Sequence, residues 1–427
     1  MKILWLVNII MPELAEHMGR EASVFGGWLT GALKVVRKEG HELVICATEH
    51  REDVLCSNVS NIRYYVVPSG SIGEMETNFR EILQQEIPDV VHIYGTEFEQ
   101  CMAMANCTDP ERTVVQIQGA MTFLKDVVYA GLPERICRDN WLHKILRHLH
   151  KGGQSIELQR KSFEYRAVLE QQVLRNAKYV FGASKWGNTV AKMINSDCIT
   201  FDCNLILRDT FYTDERWTLD NCELHSICIL FSYPIKGFHK FLEALPLILQ
   251  QYPDTMVYVV ANQLPIRNYS SIKRMIQNAA PDYNWIIQKQ IEAHNLENHL
   301  KFIGHLDETQ VKERMLKSNV FVSASAMENQ SMTLGEAMIL GVPSVASSVG
   351  AIPEMIIDGK DGFLYPFAEP KKLADAVCKI FADQNLAQQF SEKGHEHAAE
   401  TYDREKNGQN LLKMYETIVN AAKEKEE

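Results

Sequence analysis

Two carboxylates and one lysine in the second half of the chain have the types and spacing to handle a polyanion. Glu328 and Glu336 lie eight positions apart, Glu328 in the loop 323–330 and Glu336 about one turn inside the helix expected to follow. Gly341 and Pro343 terminate that helix. Its expected N-cap is Ser331 or Thr333. Either choice leaves the backbone N–H groups of Met332, Thr333 and Leu334 without intrahelical acceptors, where the helix dipole favours an anion such as a diphosphate. A carboxylate at Glu336 suits ribose hydroxyls, because it accepts two hydrogen bonds in fixed geometry, and Glu328 can then face a sugar. Plainer readings stay open beside these. Thr333-Leu-Gly-Glu336 also fits a capping box, and an isolated Glu328 is a solvated loop acid.

The elements that must position these residues follow a repeated pattern of apolar run, loop and amphipathic stretch, as parallel sheets require. In the first half, strands are expected at 2–8, 41–47, 89–94, 113–118 and 179–182, with helices at 27–39 and 78–86. A second series runs from 226: strands at 227–231, 256–261, 301–303, 320–324 and 344–347, and helices at 237–251, 311–316 and 331–340. The runs are near-continuously apolar, as strands covered on both faces must be. The fold class is therefore α/β with two doubly wound, Rossmann-like domains, 1–210 and 211–398. A final helix, 399–427, is expected to return to the first domain. In open α/β sheets the ligand crevice lies outside the carboxyl ends of the strands, so the cleft between two such domains is the expected site.

A chain of 427 residues with 46% hydrophobic and 23% charged residues can bury two cores and carries no signature of disorder. No stretch approaches ~18 uninterrupted apolar residues, and the N-terminal run is too short to cross a bilayer, so the expected location is cytoplasmic. The ten cysteines form no C-x2-C pair, so no metal site is expected and the cysteines read as small buried hydrophobes. A net charge of −11 argues against a nucleic-acid partner. Residues 141–166 depart from that average, with six Lys/Arg against two Asp/Glu. Trp141, Leu142, Ile145, Leu146 and Leu149 recur there at helical spacing, with Lys144, Arg147, His148 and Lys151 between them. Such a helix could rest on an anionic membrane and meet a lipid-linked acceptor, or it could simply pack on the first domain.

The segment Glu328-Asn-Gln-Ser-Met-Thr-Leu-Gly-Glu336, followed by Gly341-Val-Pro343, Gly350, Pro353-Glu354 and Asp361-Gly362, resembles the E-x7-E signature block of glycosyltransferase family 4, the group 1 glycosyltransferases. Lys236-Gly237 and Phe302-Ile-Gly304 extend the resemblance, and Gly26-Gly27 and Pro88-Asp89-Val-Val-His92 match weaker patterns in the first half. Tyr233-Pro-Ile-Lys-Gly237 and Ile117-Gln-Gly119 are similar to a bacterial polysaccharide-type subgroup. The resemblance implies a GT-B fold, its two domains facing each other across a deep cleft. It also implies retaining, metal-independent transfer from a nucleoside-diphosphate sugar, such as a UDP- or GDP-sugar, to a glycan or lipid-linked glycan. Glu328 and Lys236 would be the catalytic pair, with Lys236 neutralising the leaving diphosphate and Glu328 holding sugar hydroxyls. Glu336, Ser331, Met332, Thr333, Leu334, Gly26, Gly27 and Gly304 would bind the donor.

Two departures stand out. The family places an arginine shortly before the lysine, whereas Ile229-Leu-Phe-Ser-Tyr-Pro-Ile carries no positive charge, and many members have a histidine where Gln118 stands. Gln118 and Arg208 are accordingly candidate sugar or acceptor contacts. The missing arginine also motivates a different class of reading, a non-catalytic sugar- or nucleotide-binding protein, and a sugar-nucleotide epimerase is a third. A nicotinamide dehydrogenase fits poorly, since Val24-Phe-Gly26-Gly27-Trp28 lacks the third glycine of G-x-G-x-x-G.

Overall fold

The computed structural model describes residues 1–21, 26–134, 136–148, 156–261 and 281–426. Contacts divide the chain into two units. The first comprises Met1–Phe123, Tyr165–Asp209 and Thr401–Glu427, and the second Leu124–Glu164 and Thr210–Glu400. The sequence reading keeps 1–210 together, whereas the structure assigns Leu124–Glu164 to the second unit. The anchor of that segment is visible. His239 Nε2 meets the Ala130 carbonyl at 2.9 Å, and burial lowers the His239 pKa to about 4, so the neutral ring donates there and accepts from Tyr283 Oη through Nδ1 at 3.0 Å.

The first unit carries an eight-stranded sheet of β1 (Lys2–Leu6), β2 (Glu42–Glu49), β3 (Leu55–Val59), β4 (Ile62–Pro68), β5 (Val90–Tyr94), β6 (Thr113–Gln116), β7 (Tyr179–Phe181) and β8 (Ile199–Phe201). Their order is β3-β4-β2-β1-β5-β6-β7-β8, parallel except for the β3–β4 hairpin. Sequence patterning misses that hairpin because its two-residue turn is Ser60-Asn61, both at positive φ, in place of a glycine-containing pair. The helix Ile72–Glu86 starts earlier than its apolar spacing implies, since Ser71 and Glu74 close a capping box. Strand β1 shows why its apolar run is continuous: Ile3 and Trp5 join one core cluster and Leu4 and Leu6 the other.

The helix Arg404–Glu426 completes the first of those clusters with Leu411, Met414, Tyr415, Ile418 and Val419, a one-face helical spacing. At its centre the Tyr415 hydroxyl accepts from Trp5 Nε1 at 3.1 Å and lies 2.7 Å from His92 Nδ1. Burial pushes the His92 pKa down to about 3, so the ring is neutral and shares a hydrogen bond with the tyrosine hydroxyl through Nδ1.

The second unit holds a six-stranded, all-parallel sheet of β9 (Glu223–Phe231), β10 (Met256–Ala261), β11 (Leu300–Phe302), β12 (Ser318–Ser323), β13 (Ser344–Ser347) and β14 (Phe363–Tyr365), in the order β11-β10-β9-β12-β13-β14. The helix Phe238–Gln251 buries Phe238, Phe241, Leu242, Leu245 and Ile248. The polar stretch after Asp209 joins this unit through Trp217, which is buried and donates from Nε1 to the Ser318 carbonyl at 2.8 Å.

Replacing Tyr415 by Phe strips a buried indole N–H of its acceptor and a buried imidazole nitrogen of its hydrogen-bond partner. Tyr415→Phe should therefore destabilise the first unit by about 1–3 kcal/mol. Urea unfolding followed by tryptophan fluorescence should show this as a lower midpoint at unchanged slope.

Candidate active site

The chain leaves β9 toward β10 and β11 on one side of the second sheet and returns to β12 on the other. The reversal of strand order between β9 and β12 opens a crevice outside their carboxyl ends, the place where open α/β sheets bind ligands. Both loops that leave this point carry residues singled out above. After β9, the short 3-10 turn Pro234–Lys236 runs into Gly237 and the helix Phe238–Gln251. After β12, the loop 324–331 leads to the helix Met332–Ile339.

The two loops are locked at backbone level. Ala326 N–H donates to the Ile235 carbonyl at 2.7 Å. Gly237 has φ +66°, and a Cβ built on it would stand 1.8 Å from the Ala324 carbonyl oxygen, so only glycine permits this approach. The resulting geometry puts Lys236 Nζ 2.5 Å from Glu328 Oε1. Ser325 Oγ donates to the same oxygen at 2.6 Å. From a third side, Ala351 N–H donates to the Glu328 carbonyl at 3.0 Å, and a Cβ on Gly350 would lie 2.0 Å from that carbonyl oxygen. Glu328 is thus held by loops from β9, β12 and β13. Its side chain is 11% exposed, against 35% for Lys236, so the lysine forms the more open half of the ion pair.

Ser331 is the N-cap of the Met332–Ile339 helix, and its side chain makes no capping hydrogen bond. The N–H groups of Met332, Thr333 and Leu334 form the first turn, which has no intrahelical acceptors. Thr333 lies inside the helix, so the Thr333–Glu336 capping box does not form. Glu336 sits at the fifth helical position and is 1% exposed, which takes its carboxylate off the outer surface. Gly304 is anchored elsewhere on the rim: its carbonyl accepts from Ala261 N–H at 3.1 Å, at the ends of β10 and β11.

In the first unit the structure brings Gly27 and Arg208 together. A Cβ on Gly27 would stand 2.3 Å from Arg208 Cγ, so the space beside this glycine holds the aliphatic stem of the arginine. Gly26 is left-handed, with φ +79°, and caps the helix Gly27–Lys38. Gln118 follows β6, and its Oε1 accepts from Asn8 Nδ2 at 2.9 Å. Sequence reasoning overlooked Asn8 and Ser325. Both stand just beyond the carboxyl end of a parallel strand, which is the signal that could have flagged them. Among the described residues no group of three or more His, Cys, Asp or Glu is placed to hold a metal ion.

The geometry can be set beside known proteins. Residues 231–397 match the family model described as glycosyl transferases group 1. The second unit therefore carries a group 1 glycosyl transferase region. The N-acetyl-alpha-D-glucosaminyl L-malate synthase of Bacillus anthracis is 30% identical over 146 residues, 34% of this chain and 36% of the relative. The chain spans less than half the length of the curated relatives it matches. Among solved structures, sucrose-phosphate synthase from Thermosynechococcus elongatus superposes with a TM-score of 0.68 at 16% identity, covering 98% of this chain and 99% of that one. The Anabaena protein HepE in complex with UDP and glucose gives 0.63 at 16% identity, covering 97% and 98%. The fold is that of the GT-B glycosyltransferases.

The two glycines of the rim make different demands, which a pair of variants separates. Gly237→Ala meets a backbone carbonyl and should displace Lys236, destabilising the protein by about 2 kcal/mol or more. Gly304→Ala has φ +79° but nothing within 4 Å of the new methyl. It should cost only the left-handed term, about 1 kcal/mol. Urea midpoints measured in parallel check the contrast.

Proposed function

We propose that the protein transfers a sugar from a nucleoside-diphosphate sugar to a hydroxyl of a glycan or lipid-linked glycan, with retention at the anomeric carbon and without a metal ion, in polysaccharide biosynthesis. The observation that carries this reading is the Lys236–Glu328 ion pair beside an uncapped helix N-terminus at the β9–β12 crevice. The HepE complexes contain UDP, glucose or UDP-glucose, which supports a UDP-sugar as the first donor to test.

As the bond from the anomeric carbon to the diphosphate oxygen breaks, negative charge grows on the leaving group. Lys236 exchanges Glu328 for the phosphate, and the N–H groups of Met332, Thr333 and Leu334 donate to its oxygens, a fixed electrostatic clamp. Glu336 accepts from the ribose hydroxyls. Glu328, held by Ser325 and the Ala351 N–H after the lysine departs, accepts from sugar hydroxyls near the reacting carbon. In a retaining displacement the acceptor oxygen bonds to the carbon on the face the diphosphate leaves, and its proton passes to the departing phosphate oxygen. Positioning dominates such chemistry.

Donor binding and turnover separate this reading from a non-catalytic binding protein. In a screen of UDP-, GDP- and ADP-sugars, one nucleotide series should raise the melting temperature by mass action. Glu336→Ala should weaken that donor by about 10- to 100-fold, the worth of hydrogen bonds to a charged acceptor. Donor affinity without sugar transfer or donor hydrolysis would favour the binding protein, and release of a rearranged donor the epimerase.

The same reading extends to a peripheral contact with the inner face of the plasma membrane. On the helix Trp141–His148, Trp141 and Ile145 are 71% and 45% exposed one turn apart, with the exposed Lys144 beside them. His143 faces the protein, its Nε2 lying 3.2 Å from the Pro281 carbonyl. Leu149 and Lys151 lie outside the described residues. No helix among the described residues is long and apolar enough to cross a membrane, so any contact of this helix would be interfacial. Sedimentation with vesicles of rising anionic lipid content should show binding that the double variant Trp141→Ala, Ile145→Ala weakens by about tenfold. Equal binding of parent and variant, or none by either, would contradict the contact.

A further inference from the structure

In the first unit the strand order reverses between β1 and β5, so its own crevice lies outside the carboxyl ends of those strands. Asn8 follows β1, Thr96 follows β5 and Gln118 follows β6. Asn8 commits Gln118 Oε1 as an acceptor, which leaves Gln118 Nε2 as the donor. That nitrogen is buried and has no partner among the described residues.

The loop that carries Gln118 is strained, because Ala120 adopts φ +48°, and a non-glycine residue holds that conformation only where its surroundings over-determine it. Glu170, in the helix Ile156–Asn176, meets the two residues that follow Ala120. Its side chain is wholly buried, yet the carboxylate is well supplied with donors. Met121 N–H reaches Oε2 at 2.9 Å, Thr122 N–H reaches Oε1 at 2.7 Å, and Thr96 Oγ1 reaches Oε2 at 3.2 Å. One acid thus joins the loop after β5 to the start of the helix Met121–Val127, which follows the β6 loop immediately beyond the strained residue. Next to it, burial raises the pKa of Glu97, whose carboxylate accepts from Thr96 N–H at 2.8 Å and feels the charge of Glu170. A buried carboxylate is costly unless its oxygens are hydrogen-bonded, and here the donors are Thr96 and the first two N–H groups of the helix Met121–Val127.

We propose that Glu170 is a positioning residue for sugar transfer: by tying the Thr96 and Gln118 loops together, it holds Gln118 Nε2 where it can donate to a sugar oxygen. Glu170 touches no substrate and acts through the loop. The inference rests on the transferase reading above and adds a demand on the first unit that the motifs of the second do not contain.

The test compares the full-length parent with Glu170→Gln, whose amide turns an N–H group against a backbone N–H, and with the milder Thr96→Val, which removes one of the three donors. Hydrogen exchange followed by mass spectrometry reads the loop, and hydrolysis of UDP-, GDP- and ADP-glucose reads turnover. Binding of the free nucleoside diphosphates reads the second unit. In Glu170→Gln, exchange over 117–123 should accelerate about tenfold or more and turnover should fall about tenfold, while diphosphate affinity stays within about twofold. Thr96→Val should shift both readouts in the same direction by less. Unchanged exchange in both variants would overturn the anchoring role, and faster exchange with full turnover would overturn its functional part. A parent that turns over none of the three donors and transfers no sugar would instead contradict the transferase reading, while the exchange result still decides whether Glu170 holds the loop.

Discussion

The second unit depends on one close approach, that of Gly237 to the Ala324 carbonyl. Neighbouring parallel strands β9 and β12 deliver their following loops to the same rim, but a side chain at 237 would force those loops apart. With no Cβ in the way, the turn after β9 folds onto the loop after β12 and the lysine just before the glycine meets the first acid of the signature block. Gly350 plays the same part on the far side of Glu328. The motif therefore reads as a packing requirement as well as a chemical one. Its glycines let three loop backbones converge, and its charged residues occupy the position that convergence creates.

This arrangement bears on the absence of a basic residue in the stretch before Lys236. The lysine does not stand alone, since the Glu328 carboxylate holds it within the crevice, and Ser325 shares that carboxylate. An arriving diphosphate would have to compete with Glu328 for the ammonium. Loss of one cation weakens the clamp, but keeping the remaining cation in a fixed place lowers the reorganisation needed during reaction. In the proposed clamp the neutral donors of the Met332 helix would supply the rest of the electrostatic stabilisation without a charge that must be desolvated.

Much of this was legible in the sequence, for identifiable reasons. The apolar runs 227–231 and 256–261 mark β9 and β10, and the helix Met332–Ile339 is bracketed by a polar cap and by Gly341 and Pro343. The β3–β4 hairpin was hidden because Ser60-Asn61 is a weak turn signal, and the short strands β8 and β14 have no expected counterpart in the sequence. Which neighbour each site residue would meet was not legible at all. The pairing of Lys236 with Glu328 depends on strand order, and the crossing of Arg208 over Gly27 on contacts between residues far apart in the chain. Glu170 is the extreme case. Inside an amphipathic helix it looks like a solvated acid, and only the tertiary structure shows it buried with three donors.

The central claim is that the β9–β12 crevice of the second unit is a sugar-nucleotide site built on the Lys236–Glu328 pair and the Met332 helix. A crystal structure of the protein with a bound nucleoside diphosphate tests it most directly. The account predicts ribose hydroxyls within hydrogen-bond distance of Glu336, about 3 Å, and a diphosphate in contact with Lys236 Nζ and the N–H groups of Met332, Thr333 and Leu334. A nucleotide bound elsewhere on the protein, with the Lys236–Glu328 pair untouched, would contradict it.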